Sequence, residues 1–424
     1  MPGPKKKTTQ MTNTQSRAQK IFSRITELAA ITEEPGMITR IYGSSAFIEA
    51  SKMVQLWMQA AGLQTTIDNI GNVRGRWLSS NTNAKTFIIA SHIDTVKNAG
   101  RFDGPLGVVM GLDAIENIIE NKAVLPFNIE LIAFCDEEGI RFHTTFLGSK
   151  VVAGSFDATL LTKRDNEGTT LAEIIKKLRG NEGALMDDRL QDDVMGYFEI
   201  HIEQGPVLYE ANIPVAVVTA IAGQKRIELV FTGMAGHAGT VPMEMRRDAL
   251  SAAAACISAI EDFAIDHKTT IVATVGKLDV ANAASNVIPG NVTCTLDIRS
   301  ADDVRLAFSC NALHNILGQI CEDRNILFEW NTIQETAPVL CNTTLNDLLK
   351  QSIKSAGFEV VELVSGAGHD AVPMSAICPV SMLFVRCFKG ISHHPLEDVD
   401  IKDITAAIEV TDHFLLNLAS TYNK

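Results

Sequence analysis

Two apolar runs, 86–91 (TFIIAS) and 128–134 (NIELIAF), flank a segment with helical spacing, 105–121, that opens on a Gly-Pro-Leu-Gly turn. Strand, helix and strand in that order form the unit of a parallel sheet, because parallel neighbours need a connection long enough to hold a helix. The runs are nearly continuous in apolar residues, which suits strands covered on both faces. Such sheets gather their ligands beyond the carboxyl ends of the strands. The second run ends on three consecutive acids, Asp136, Glu137 and Glu138. A strand end that is merely solvated has no need of that cluster; a site holding cations does.

The rhythm extends along the chain. Residues 16–30 and 47–62 show helical spacing, 64–68 and 72–77 read as strands, a helix starts after Gly148, and a strand near 381–385 precedes a final helix at 402–417. Between 215 and 332 the pattern changes to strands at 216–220, 226–232, 271–279, 290–299 and 326–331, with helical stretches at 247–265 and 301–319. One domain inserted in another explains this order. The expected fold is α/β: a mostly parallel-sheet domain built from 17–214 and 333–424, interrupted by a smaller α+β domain at 215–332. At 424 residues the chain exceeds what one core usually supports. Residues 1–16 are basic and polar, are not followed by an apolar segment, and are expected to be a disordered tail rather than a secretion signal.

A formal net charge of -13 argues against nucleic acid or an anionic membrane as partner. No run approaches the roughly 18 apolar residues that a membrane span requires. Eight cysteines occur without a CxxC pair and mostly in apolar segments, which fits reduced, buried thiols and a cytoplasmic location.

The polar residues with chemical potential collect at the ends of the apolar runs. His92 closes the first run in SHIDT, with Asp94 two positions on, close enough to accept the other imidazole N–H. Asp103 lies in GRFDGPLG between glycines, where on its own it would read as a turn former. Glu137 and Glu138 end the second run, His201 sits in FEIHIEQG, and His393 and His394 sit in GISHHPLED. Separately each is a weak signal. Together they would converge on one crevice as a mixed imidazole and carboxylate site for divalent metal. The spacing is not HExxH, GxSxG is absent as a nucleophile elbow, and GMAGHAG at 233–239 carries no GK[ST].

With these motifs in place the chain resembles the amidase, hydantoinase and carbamoylase branch of the M20 metallopeptidase family. The resemblance runs from about residue 17 to the end. It rests on SHIDT, GRFDGPLG, DEEGIRF with FLGS, HIEQGPVL, AIAGQ, GHAGTVPM with RRDAL, NVIPG with DIRS, GAGHDA and GISHHPLE. The chain departs from the branch at Asp136, Pro105, Val241 and His394. The resemblance implies a binuclear hydrolase that holds two divalent ions, zinc or manganese. Asp103 would bridge them, His92 and His201 would complete one ion's set, and Glu138 and His393 the other's. Glu137 would be the general base, Asp94 would orient His92, and Asp136 would stand behind the ligands. His237 would donate to the developing oxyanion, reaching across from a partner subunit of a homodimer. Arg299, Asn286 and Gln224 would grip a small carboxylate-bearing substrate, with Gln204 and His369 as further contacts. The implied substrate is a ureido or carbamoyl compound, allantoate first, with N-carbamoyl-L-amino acids and N-carbamoyl-β-alanine as alternatives.

Overall fold

The computed structural model describes residues 12–191 and 193–422. Residues 1–11 of the expected tail lie outside the described residues. Residues 13–16 are helical, because Thr12 and Gln15 form a reciprocal cap at the start of helix Asn13–Ala29.

The chain divides into two compact units. The first comprises Met1–Thr219, Cys341–Leu363 and His369–Lys424; the second comprises Ala220–Leu340 and Val364–Gly368. In the first unit the strands Asn128–Phe134, Thr86–His92, Val194–Ile202 and Val380–Val385 lie side by side and all parallel. Their side chains are almost entirely buried, which explains the unbroken apolar runs.

The sheet is mixed, so its parallel character is confined to this centre. Gln64–Ile67 and Val73–Trp77 form an antiparallel hairpin, and Val73–Trp77 runs antiparallel to Asn128–Phe134. Asp68 Oδ1 accepts the N–H groups of Gly71 and Asn72 and closes that hairpin in a turn too short for a crossover. On the other side Val215–Ile221 pairs antiparallel with Val380–Val385. The expected insert boundary at 215 therefore coincides with the first residue of a strand of the large sheet, and the second compact unit begins at Ala220. Val215 to Val218 are all buried, a pattern of a sheet interior rather than of an alternating surface strand.

Helix Pro105–Glu120 covers the centre of this sheet and is buried along most of its length. It lies so close that a Cβ at Gly107 would stand 2.1 Å from the carbonyl oxygen of Ile200.

The second unit is a four-stranded antiparallel sheet in the order Leu327–Thr336, Gly223–Thr232, Asn291–Ser300, Val272–Val280. Helices Ala249–Asp266 and Asp303–Glu322 supply the rest of its core. Ile227, Leu229 and Phe231 on one strand, and Leu296 and Ile298 on the next, point into that core. Strand alternation sends Gln224, Arg226, Asp297 and Arg299 to the opposite face.

Candidate metal centre

The four parallel strands each deliver part of one cluster in the first unit. His92 is the last residue of its strand, Glu137 and Glu138 follow Asn128–Phe134, His201 is the penultimate residue of Val194–Ile202, and His393 lies in the loop beyond Val380–Val385. Asp103 precedes helix Pro105–Glu120 in the loop after the first of these strands. Gly104 makes this loop possible: its φ is +83°, and a Cβ there would lie 2.5 Å from the His92 ring.

Asp103 stands at the centre. Its Oδ1 lies 3.1 Å from His201 Nε2 and 3.8 Å from His92 Nε2, and its Oδ2 lies 3.0 Å from His393 Nε2. Glu138 Oε1 is 3.4 Å from the same His393 nitrogen. Candidate ligand atoms fall into three overlapping groups: His92, Asp103 and His201; Asp103, Glu138 and His393; and His92, Glu137 and Glu138. The first two share Asp103, as a pair of sites bridged by one carboxylate would.

Tautomers explain why this arrangement suits cations. His92 Nδ1 lies 3.1 Å from the main-chain oxygen of Asp94, and His201 Nδ1 lies 3.0 Å from that of Ile202. A carbonyl can only accept, so each Nδ1 carries the proton and each Nε2 presents a lone pair. Those two Nε2 atoms face each other at 3.5 Å, beside an Asp103 Oδ1 that is buried without a hydrogen-bond partner. Three acceptors turned on one point fit a divalent ion.

Burial works to lower His201, but Asp103 outweighs it and pushes the imidazole up to about 9, so without a cation Nε2 is drawn towards protonation and a bound cation would take the place of that proton. Burial, and then Glu138, pushes the Glu137 carboxyl well above its usual range; burial and Asp103 push Glu138 up to about 8. Burial works to raise Asp103 too, but the imidazoles of His201, His393 and His92 beside it outweigh burial and hold it well below the usual carboxylate range. So many acids share one buried space that some are driven towards the neutral form, a tendency that bound cations oppose.

Several expected residues stand elsewhere than the sequence suggested. The carboxylate of Asp94 does not hold His92: its Oδ1 is 3.8 Å from Nδ1, while its two oxygens accept the N–H groups of Glu137 and Glu138 at 3.1 and 3.2 Å. The imidazole is instead met by the main chain of the same residue, whose carbonyl is nearer. Gln204 donates to Asp103 Oδ2 at 2.9 Å. His369 is buried with its ring edge-on to His201 at 4.6 Å, so it supports a candidate ligand. His394 is exposed, accepts from Leu396 N at 3.1 Å, and joins none of the ligand groups. Asp136 is buried outside those groups at a φ of +50°, and Gln204 and His393 also have positive φ, a concentration of backbone strain around the cluster.

Two residues that sequence reasoning missed hold Asp103 in place. Ser392 donates to its Oδ2 at 2.8 Å. Glu397 is buried and accepts the N–H groups of Phe102 and Asp103 at 2.7 and 3.0 Å. The only available signal was an acid four positions beyond His393.

The second unit carries two further groups. His237 is exposed and lies opposite Val287 in a two-residue ladder, with Ala238 N donating to Asn286 O at 2.9 Å. Gly239 N donates to His237 Nδ1 at 3.1 Å, which leaves Nε2 as the donor. Gln224 and Arg299 are cross-strand neighbours on the face away from the core.

Known proteins share this architecture. Residues 88–417 match the model of peptidase family M20/M25/M40. The chain is 39% identical to allantoate deiminase 2 of Glycine max, over 94% of this chain and 89% of that protein. It is 38% identical to an N-carbamoyl-L-amino acid amidohydrolase of Geobacillus stearothermophilus, over 95% of this chain and 99% of the relative. A crystal structure of an amidase of the hydantoinase/carbamoylase family from Burkholderia multivorans superposes with a TM-score of 0.89 at 32% identity, covering 95% of this chain and 98% of that one.

Proposed function

This chain belongs to peptidase family M20/M25/M40, in its hydantoinase/carbamoylase branch, and from that premise we propose that it hydrolyses a ureido C–N bond of allantoate. The products would be ammonia, carbon dioxide and ureidoglycine. The chain is a metal-dependent amidohydrolase, and its candidate ligands form the clustered pair of sites described above. The convergence of the His92 and His201 lone pairs on Asp103, with Glu137 alongside, carries the chemical reading. The similarity to plant allantoate deiminases supports the substrate.

His92, Asp103 and His201 would hold one divalent ion, zinc or manganese, and Asp103, Glu138 and His393 a second. Bound there, the pair supplies Lewis-acid polarisation of the scissile carbonyl and lowers the pKa of water. Glu137 takes the proton of the attacking water and returns it to the leaving nitrogen. Its place beside both candidate ligand groups suits a carboxylate that must accept a proton from water and pass it on. Asp94 fixes the backbone of Glu137 and Glu138 through its two hydrogen bonds, and so sets where both carboxylates point. Gln204 and His369 steady Asp103 and His201.

His237, with Nε2–H free to donate, stabilises the oxyanion from the second unit of a partner subunit in a homodimer. Arg299, Gln224 and Asn286 receive the substrate's carboxylate and ureido groups. Eight buried, unpaired cysteines support a reducing compartment, the cytoplasm, as the enzyme's place of work.

N-carbamoyl-L-amino acids form the second reading, favoured by the 38% identity to the Geobacillus amidohydrolase. The deciding experiment measures ammonia release by metal-reconstituted protein with allantoate, an N-carbamoyl-L-amino acid and N-carbamoyl-β-alanine in parallel, with amino-acid release followed for the last two. Preferred turnover of allantoate is expected. Preference for a carbamoyl substrate would move the assignment to that substrate, and silence on all three with metal bound would overturn the substrate class.

A further inference from the structure

One acid of the second unit has no part in the chemistry so far. Asp297 lies two residues before Arg299 on strand Asn291–Ser300, so both side chains leave the sheet on the same face. The register places Gln224 opposite Arg299 and Arg226 opposite Asp297. Asp297 Oδ1 accepts from Arg299 Nε at 2.8 Å. Its Oδ2 accepts from Arg299 Nη2 at 3.0 Å, from Gln224 Nε2 at 2.5 Å and from Arg226 Nε at 3.2 Å. Arg299 Nη1 donates to the carbonyl oxygen of Gly366 at 2.5 Å. The group borders a cavity of about 600 Å³ that Val272 and Thr274 also line.

Counting donors shows what this arrangement leaves free. A guanidinium has five N–H groups, and Arg299 commits three: Nε and one on each terminal nitrogen. The remaining two also lie one on each terminal nitrogen, so both terminal nitrogens keep a donor for a carboxylate. The amide of Gln224 is constrained in the same way. A carboxylate only accepts, so the Gln224 NH₂ must face Asp297 and its Oε1 is left to accept an N–H. Two guanidiniums also share one carboxylate, so the group retains one uncompensated positive charge.

We propose that Asp297 is the positioning residue that sets what this face recognises, aiming the uncommitted N–H groups of Arg299 at a substrate carboxylate and the carbonyl of Gln224 at a ureido or amide N–H. This rests on the reading that Arg299 and Gln224 meet the substrate. Asp297 touches no substrate atom; it fixes the two groups that do. A substrate class follows: small monoanions carrying a carboxylate together with a nearby N–H donor. A neutral analogue fails to balance the surplus charge.

The test is a double-mutant cycle in the metal-loaded full chain with Asp297→Ala, Arg299→Ala and the double variant. It is assayed on the best carboxylate substrate and on the same compound with its carboxylate converted to a primary amide. Asp297→Ala should raise KM for the carboxylate roughly tenfold or more with kcat changed less than about threefold, the signature of lost binding that is uniform along the reaction. KM for the amide should barely move, and the double variant should be no worse than Arg299→Ala alone. Additive effects in the cycle, or a fall in KM on removing Asp297, would overturn the proposal; the second result would make Asp297 a competitor for the Arg299 N–H groups. An Arg299→Ala variant with unchanged KM would instead sink the assignment of Arg299 itself. Should Asp297→Ala lower the unfolding temperature, the isosteric Asp297→Asn carries the test. Its amide can no longer force the orientation of Gln224, so carboxylate over amide selectivity should still fall; retained selectivity would overturn the proposal.

Discussion

The two units hold their charges in opposite ways. In the first, carboxylates and imidazoles are buried together, and the nearest neighbours of several lone pairs are other lone pairs: His92 Nε2 faces His201 Nε2 at 3.5 Å beside an unbonded Asp103 oxygen. In the second, Asp297 and Arg299 sit half-buried and satisfy each other in a two-pronged bond. Buried groups of one kind destabilise a fold unless something else balances them, whereas opposite charges near a surface balance themselves at little cost. The first unit is therefore built around what it binds. The second is complete by itself and offers only a modest surplus of positive charge. Catalysis should fail abruptly when the first is disturbed, and recognition should fade gradually when the second is.

The largest expected effect is Glu137→Gln. The amide keeps the shape but cannot take a proton, so kcat should fall by roughly 10²- to 10⁴-fold while metal content and unfolding temperature stay near wild type. Metal analysis beside steady-state kinetics checks this, and undiminished turnover would remove Glu137 from the mechanism. Chelation comes next. It should abolish activity and lower the unfolding temperature, because a ligand present at about 100 times its Kd adds roughly 2.7 kcal/mol to a native state that alone binds it. Re-addition of zinc or manganese should restore both. An unfolding temperature that ignores the chelator would mean that the buried acids balance without cations, and the contrast between the units would collapse.

Mixing Glu137→Gln protein with His237→Ala protein sharpens the comparison further. If each centre draws Glu137 from one subunit and His237 from the other, random re-pairing leaves about a quarter of the sites fully wild type, from two inactive parents. Recovered ammonia release near that level is expected. No recovery after verified subunit exchange would place both residues in the same chain's site.

These contrasts were unequally legible in the sequence. The ligand positions could be read because parallel strands end at one edge, and an apolar run followed by His or an acid marks that edge directly. His92, Glu138 and His201 are found this way. The antiparallel margins were harder: 64–77 looks like two strands in any sheet, and only the hydrogen bonds of Asp68 reveal a hairpin. Roles that depend on main-chain atoms had no signature either. Nothing in SHIDT says that Asp94 meets His92 through its carbonyl and sends its carboxylate to the next strand end. Asp297 escaped notice for a different reason. The run DIR reads as an ordinary alternating strand, and the partners that give its acid a task, Gln224 and Arg226, lie some 70 residues earlier in the chain.

Glu397→Ala tests how far the buried order of the first unit extends. Glu397 touches no candidate ligand nitrogen, yet it pins the backbone of Phe102 and Asp103. Removing such support commonly weakens metal binding by about 10- to 100-fold. The variant should need more metal for half-maximal activity but reach nearly full kcat when saturated. A lowered kcat at saturating metal would show that Glu397 shapes the reacting geometry beyond loading.

The smallest effect belongs to the second unit and serves as its control. Asp248 caps helix Ala249–Asp266, accepting the N–H groups of Leu250 and Ser251 at 3.0 Å each. Asp248→Ala leaves those donors without their cap and should cost about 1 kcal/mol of stability. The cap lies on the helix layer, while Gln224 and Arg299 leave the sheet on its other face, so the loss should appear in thermal unfolding and leave KM and kcat unchanged. This separates two ways of disturbing one unit: loosening its scaffold and loosening its grip. If Asp248→Ala raised KM as Asp297→Ala is expected to do, the pairing of Asp297 with Arg299 would report the general firmness of the sheet, and specificity would have to be sought in groups other than that pair.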